Sequence, residues 1–199
     1  LSRRQRQMCI RDRNYDYKSK YLLSLVLRRD GYSKLPKDNR WGTFPGISAG
    51  WVLSRENFME SCSNVLSYAK IRASYGANGN VSGVLDANGN VVTGLDYYTV
   101  QGSYGIMKDK DGKIVPNYNG KVPLMINDLP NPTMRWEKSY TFETGFDIGF
   151  LNNKYILNFT YYNRHTQDKF AEITLPSHSG VSSFLSNNGE VQNQGMELE

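Results

Sequence analysis

"YTFETGFDIGFLNNKYILNFTYYNR" (residues 140–164) contains two runs in which apolar and polar residues alternate, joined by Asn152-Asn153. Strict alternation over this length predicts β-strands with one apolar and one polar face. Asparagine tolerates the positive φ that both central positions of a type I′ turn require, so the pair predicts a tight hairpin. Opposed residue numbers then add up to 305, which places Phe150 opposite Tyr155. A slip of one residue would move one strand's apolar side chains to the polar face.

The same period of two recurs along the rest of the chain and predicts about six strands, at residues 21–27, 47–54, 69–75, 140–150, 154–163 and from 195 onward. Connections alternate between long and short, and no segment holds the ~18 consecutive apolar residues of a transmembrane helix. Antiparallel outer-membrane barrels combine short periplasmic turns with long extracellular loops. We therefore predict an all-β fold: an antiparallel, curved sheet that forms part of a transmembrane β-barrel. Its long extracellular loops include residues 77–138 and 163–194.

The polar face of the predicted sheet carries charges of both signs. Lys70 and Arg72 lie on one strand, and Glu143 and Asp147 lie on the strand that follows the long loop. Because that loop joins the two strands, we expect them to pair antiparallel, with at least one contact between a cation and a carboxylate. In a barrel these four residues would be lumen charges.

Catalytic and metal-binding chemistry is not indicated. Glu143 and Asp147 are four residues apart on one strand, about 13 Å at ~3.3 Å per residue, which is too far for either glycosidase geometry. The chain has two cysteines and two histidines in total, widely spaced, so we expect no metal site and no cofactor. The sequence therefore predicts that the protein is not an enzyme.

Aromatic residues fall into two groups. Those in the predicted loops are candidates for contact with a substrate or a partner, although they could equally pack the loops together: Trp41, Tyr97, Tyr98, Tyr104 and Tyr118. Others are assigned to belts at the membrane interfaces, where rings with a polar end are favoured. The periplasmic belt would contain Tyr21, Trp51, Phe150 and Tyr155, and the extracellular belt Tyr75, Tyr140 and Tyr161. Trp136 is also assigned to a belt.

Residues 1–13, "LSRRQRQMCIRDR", contain five arginines and one aspartate and so supply +4 of the net charge of +5. A basic arm can bind nucleic acid. The stretch is also similar to translated sequencing adapter, and this interpretation is favoured, so no nucleic-acid partner is expected. We predict a non-native, disordered leader that makes no ladder pairing, followed by a barrel segment over residues 14–199.

Four stretches resemble the SusC/RagA family of TonB-dependent outer-membrane transporters, in the family's order: "RDGYSKLPKDNRWGTFPGISAGWVLSRENFM" (29–59), "KIRASYGANGN" (70–80), "LPNPTMRWEKSYTFETGFDIGFLNNKYILNFTYYNRHTQD" (129–168) and "NNGEVQNQGMELE" (187–199). The resemblance implies a fragment from the C-terminal part of the barrel. The plug domain, the TonB-contacting segment and the barrel ends have no counterpart.

The resemblance also implies a location and partners. The barrel would lie in the outer membrane of a Bacteroidota cell, in contact with its lipid. It would import oligosaccharides or peptides together with a SusD-like surface lipoprotein, driven by the TonB complex. The alternative is a secreted carbohydrate-binding β-sandwich, which differs in having shorter strands and a second sheet packed on the first.

Overall fold

The computed structural model describes residues 6–62, 65–85, 91–93, 95, 97–109, 111–115, 119, 121–181 and 183–199. Seven strands form one antiparallel sheet in the order β1-β2-β3-β4-β9-β10-β11. Their bounds are β1 Arg6–Tyr17, β2 Tyr21–Tyr32, β3 Trp41–Val52, β4 Leu66–Asn80, β9 Glu137–Phe150, β10 Tyr155–Thr174 and β11 Ser183–Leu198. The predicted antiparallel, curved all-β sheet is confirmed, with one strand more than expected.

The connection between β4 and β9 has its own small elements. These are the hairpin of β5 (Val84–Leu85) with β6 (Val91–Thr93), the helix α1 (Tyr97–Gln101), and the hairpin of β7 (Ser103–Ile106) with β8 (Leu124–Asp128). Short 3-10 turns occupy Lys37–Asn39, Leu53–Arg55, Asn57–Cys62 and Ser177–Ser179. No described helix has the length and apolar character needed to cross a membrane.

The hairpin of β9 and β10 has the predicted register. Its pairs run from Tyr155 opposite Phe150 to Gln167 opposite Lys138, and each pair sums to 305. Asn152 and Asn153 have φ values of 58° and 59°, and the Lys154 amide donates to the Leu151 carbonyl oxygen at 3.3 Å. This is a two-residue turn with both central residues left-handed, as the Asn-Asn pair predicts.

The prediction that residues 1–13 make no ladder pairing is wrong, because β1 pairs with β2 from Arg6–Tyr32 to Tyr17–Tyr21. Without β1, β2 would present a row of unpaired backbone groups, and backbone hydrogen bonds form with little regard to side-chain type. The pairing places Arg13 opposite Leu25 on the apolar face. The non-native origin of these residues stays a prediction.

Two predicted loop boundaries are also wrong. The segment 163–194 is mostly strand, since β10 continues to Thr174 and β11 begins at Ser183. Apolar residues in these strand ends, such as Phe170 and Leu185, are few and do not alternate regularly, so the ends lack the apolar period that marks a strand in sequence. Likewise residues 41–45 of the stretch 40–45, predicted as the end of a loop, are strand, and Trp41 is the first residue of β3.

One face of the sheet is apolar and exposed along its central strands. Leu23, Ile47, Ile71 and Phe142 lie on it, and each is more than a third exposed. The buried core lies instead at the end of the sheet where the long connections meet: Tyr32, Leu35, Phe44, Val81, Leu95, Met134, Trp136, Phe170 and Leu185. A β-sandwich would bury the apolar face of its sheet under a second sheet. The exposed face is therefore suited to lipid and argues against the sandwich.

Candidate functional site

The polar face of the sheet brings the four predicted lumen charges together. β4 pairs with β9 so that Lys70 lies opposite Asp147 and Ser74 opposite Glu143. The Arg72 Nε lies 3.4 Å from the Asp147 Oδ1. The expected contact between a cation of β4 and a carboxylate of β9 is therefore confirmed.

Arg72 also reaches across β9. Its direct partner on β9 is Gly145, which in turn lies opposite Thr160 of β10. Because Gly145 has no side chain, the guanidinium crosses it, and the Arg72 Nη2 donates to the Thr160 Oγ1 at 2.6 Å. Arg72 thus links three strands on this face.

A cleft of about 1130 Å³ lies on the polar face beside Arg72. Besides a second arginine, Arg164, its other lining side chains are acids, amides and hydroxyls, among them Glu143, Asp147, Asn158, Thr160, Tyr162, Gln192, Gln194 and Glu197. Such a wall offers hydrogen bonds to a hydrophilic solute and little apolar surface. Within the described part of the chain, no group of three potential metal ligands occurs.

The buried cluster at the far end of the sheet ties the connections to one another. Phe44 packs edge-on to Trp136 with ring centroids 5.6 Å apart, and it lies so close to Gly79 that no side chain would fit there. The Trp136 Nε1 donates to the Arg40 carbonyl oxygen at 3.2 Å. The assignment of Trp136 to a membrane belt is therefore wrong, because its ring is buried in this cluster.

Three buried polar side chains connect the strands around this cluster. Glu137 accepts from the Phe170 amide and from the Asn80 side chain, both at 2.7 Å. Asn187 bonds the amide and carbonyl of Arg135, each at 3.0 Å, and Asn131 donates to the Leu185 carbonyl at 2.9 Å. Of the three, only Asn131 has a sequence signal: its Asn-Pro context favours the local turn in which its Oδ1 accepts from the Thr133 amide.

The predicted loop aromatics do not converge. Trp41 lies on the outward face of β3, and Tyr104 lies on β7 with 75% of its surface exposed. Tyr97 and Tyr98 begin α1, and Tyr118 lies outside the described residues. Neither Trp41 nor Tyr104 lines the polar cleft. A contact with substrate or partner stays a prediction for these residues.

At the opposite end of the sheet, the carboxylate of Glu56 contacts three other side chains, and the sequence analysis did not identify this cluster. Glu56, in the connection between β3 and β4, accepts from the Tyr21 hydroxyl at 2.8 Å and from the Trp51 Nε1 at 3.2 Å. Lys20 adds an ion pair at 3.1 Å. The hydrogen bond from Tyr21, then those from Trp51 and Lys20, hold the pKa of Glu56 below its ordinary value.

Comparison with known proteins explains this arrangement. Residues 11–199 match the family described as TonB dependent receptor-like, beta-barrel. The chain belongs to this family. Its sheet is therefore a portion of an outer-membrane β-barrel. The members of this family are transporters rather than enzymes.

Similar receptors are of the SusC type. The chain is 35% identical over 185 residues to TonB-dependent receptor P3 of Formosa agariphila. It is 32% identical over 186 residues to TonB-dependent receptor SusC of Bacteroides thetaiotaomicron. Each alignment covers 93% of this chain but 17% of the relative, so the chain spans about a sixth of the length of these receptors.

Solved structures show the same fold. The RagAB peptide importer superposes with a TM-score of 0.77 at 23% identity, over 97% of this chain and 19% of the other. The siderophore receptor PirA of Pseudomonas aeruginosa gives 0.57 at 15% identity, over 97% of this chain and 30% of the other. The resemblance seen in the sequence is thereby confirmed.

Proposed function

We propose that this chain forms part of the wall of a TonB-dependent transporter that imports oligosaccharides or peptides with a SusD-like lipoprotein. The supporting observation is the difference between the two faces of one sheet. The outward face is apolar and exposed, whereas the other holds a polar cleft around Arg72, Glu143 and Asp147. A wall with lipid on one side and a hydrophilic solute on the other needs both faces.

The relatives favour these substrate classes and this partner. RagAB is described as a peptide importer, and its name combines two components. Energy coupling through the TonB complex is assigned to receptor segments outside the matched region. The exposed apolar hairpin of β7 and β8, with Tyr104 and Leu124 at its surface, is the proposed contact region for the lipoprotein or the substrate.

Uptake by the full-length receptor that contains this segment tests the proposal. A strain without the receptor gene is complemented with the wild type and supplied with labelled oligosaccharides or peptides. We expect uptake of one class, loss of that uptake when a protonophore collapses the proton gradient, and copurification of a surface lipoprotein. Uptake that is unchanged by deletion of the gene, for both classes, would contradict the proposal.

Two variants separate the roles of the two surfaces. Arg72→Gln alters the cleft, whereas Tyr104→Ser alters the exposed hairpin. If the hairpin contacts the lipoprotein, the second variant weakens copurification, while the first changes only the rate of uptake. Equal behaviour of both variants in both assays would argue against this division.

A further inference from the structure

Trp41 and Trp51 lie at opposite ends of the outward face of β3. They are ten residues apart, which corresponds to about 33 Å along a strand. With the ~40° strand tilt of outer-membrane barrels, this is about 25 Å along the membrane normal, equal to the height of the apolar band. Both rings are exposed. Trp41 therefore lies at the extracellular boundary of the bilayer, on the side where the long connections lie, and not in the lumen.

Arg29 stacks on the Trp41 ring at this boundary. The Trp41 ring lies against Gly31, where an added Cβ would come within 2.8 Å of Trp41 Cζ3. The Arg29 Cζ lies 5.1 Å from the centroid of the same ring. Stacking on an aromatic face restrains a guanidinium while leaving its N–H groups available for an anion. Among the described residues, no carboxylate forms an ion pair with Arg29, which is exposed on the outward face.

The two ends of these strands differ in the groups that contact their aromatic rings. At the periplasmic end, Trp51 and Tyr21 donate to the carboxylate of Glu56. At the extracellular end, Trp41 is covered by the cation of Arg29. The same pair of strands thus presents aromatic rings bonded to an acid that is ion-paired with Lys20 at one end, and an aromatic ring beside the base Arg29 at the other.

We propose that Arg29 and Trp41 bind the phosphorylated headgroup of an outer-leaflet lipid. The charge fits a phosphate, which accepts paired N–H donors from a guanidinium. The apolar surface directly below fits the acyl chains, since Leu25, Leu27 and Ile47 lie on the same face and are each nearly half exposed. A free phosphate ion would use Arg29 but would gain nothing from this apolar surface. The site is independent of the transported substrate.

Neighbouring residues of β1 are not part of the site. Arg11 and Arg13 face the same side through their pairing with Leu27 and Leu25. Because residues 1–13 are predicted to be non-native, the experiment uses a receptor whose natural sequence replaces them. The site then stands on β2 and β3 alone.

Native mass spectrometry of the purified full-length receptor tests the site by titration with phosphatidic acid or phosphatidylcholine. We expect tighter binding of phosphatidic acid, and a roughly fivefold rise in its Kd for Arg29→Gln, as one arginine near a charged surface contributes about 1 kcal/mol. Lys37→Gln removes the same charge from the adjacent connection, above the membrane face, and should leave the Kd unchanged. Trp41→Phe should weaken phosphatidic acid binding less than Arg29→Gln, because the charge is kept.

A second variant, expected to bind the lipid more tightly, controls for the case in which Arg29→Gln weakens binding only because it folds poorly. Thr43 lies directly opposite Arg29 and is exposed, so Thr43→Arg should lower the Kd for phosphatidic acid. An unchanged Kd in both Arg29→Gln and Thr43→Arg would overturn the proposal. Displacement of the lipid by equimolar inorganic phosphate would show a free-anion site instead, and would also overturn it.

Discussion

Arg72 reaches diagonally from β4 to Asp147 on β9, with 3.4 Å between Nε and Oδ1, while its other end bonds Thr160 on β10. The Arg72 side chain is 40% exposed and that of Asp147 is 24% exposed, so water and salt screen the pair. Ion pairs that are partly exposed contribute little to the free energy of unfolding. In a double-mutant cycle of Arg72→Gln and Asp147→Asn, we expect a coupling energy of about 0.2–1 kcal/mol that decreases with added salt.

The measurement is the urea dependence of unfolding of the detergent-solubilised receptor at low and high salt. Lys70→Gln with Asp147→Asn provides the matched control. Lys70 lies opposite Asp147 in the register, but no ion pair joins the two residues. A coupling for the Lys70 cycle as large as that for Arg72 would contradict the assignment of the pair.

The hairpin turn predicts a stabilising substitution. Leu151 precedes the two asparagines and also has a positive φ, 48°, which a side chain with a Cβ disfavours. Its side chain is half exposed, so little packing is lost on removal. Leu151→Gly should raise the free energy of unfolding by about 1 kcal/mol, because relief of the left-handed strain gains about 1–3 kcal/mol and the flexibility of glycine costs about 0.5–1 kcal/mol. Asn158→Gly, in the regular part of β10, should lower it by about the same amount. Two changes of the same sign would show that the turn is not strained.

The membrane-spanning part of the sheet was predictable because one face meets an apolar and the other a polar environment. That difference places residues such as Phe146 and Asp147 in strict alternation, and the alternation fixes the register of the hairpin to the residue. β1 has no such difference between faces, and at the outer ends of β10 and β11 only isolated residues such as Phe170 and Leu185 are apolar and buried. Their pairing rests on backbone hydrogen bonds, which leave no pattern in the sequence.

The polar site around Arg72 was predictable only where it follows from the alternation of side chains between the two faces of a strand. This alternation places Arg72 and Asp147 on one face, and their contact follows from the pairing of β4 with β9. Trp41 was assigned to a loop because it stands beside Gly, Pro and charged residues that are typical of loops, whereas Trp136 was assigned to a membrane belt. Burial of Trp136 depends on Phe44 and on Tyr32, residues that are distant in sequence and meet only in the folded chain.

Glu137 gives a prediction for the buried cluster. Its two carboxylate oxygens accept from the Phe170 amide and the Asn80 side chain. In Glu137→Gln one oxygen becomes an NH₂ group that faces a donor, and a buried unsatisfied donor costs about 1–3 kcal/mol. We expect faster hydrogen exchange at the Phe170 amide and an unchanged rate in the β9–β10 turn. Glu143→Gln removes a carboxylate that has no hydrogen bond among the described residues, and it should leave exchange at Phe170 unaltered.

Glu56 makes the connection between β3 and β4 sensitive to acid. Its pKa in the folded protein lies below the ordinary value of 4.5 because Tyr21, Trp51 and Lys20 stabilise the charged form. A lowered pKa gives a contribution to stability that is complete above the unfolded value and is lost as the pH falls through the folded value. Proteolysis of the 53–62 connection should therefore accelerate below about pH 4.5. Glu56→Gln should be cleaved faster at neutral pH and show a weaker pH dependence, and an unchanged profile would contradict the role of this carboxylate.

The fluorescence of Trp41 and Trp51 should show that the two rings lie at opposite membrane interfaces. The chain has three tryptophans, and Trp136 is buried in the cluster. In the full-length receptor, with tryptophans outside this segment replaced, lipids brominated near the headgroup should quench Trp41 and Trp51 more strongly than lipids brominated at the chain end. Trp136 should respond to neither, because its ring has no contact with lipid. The variants Trp41→Phe and Trp51→Phe assign the two signals. Equal quenching of Trp41 at both depths, or none, would remove it from the extracellular interface and with it the alignment of β3 across the bilayer.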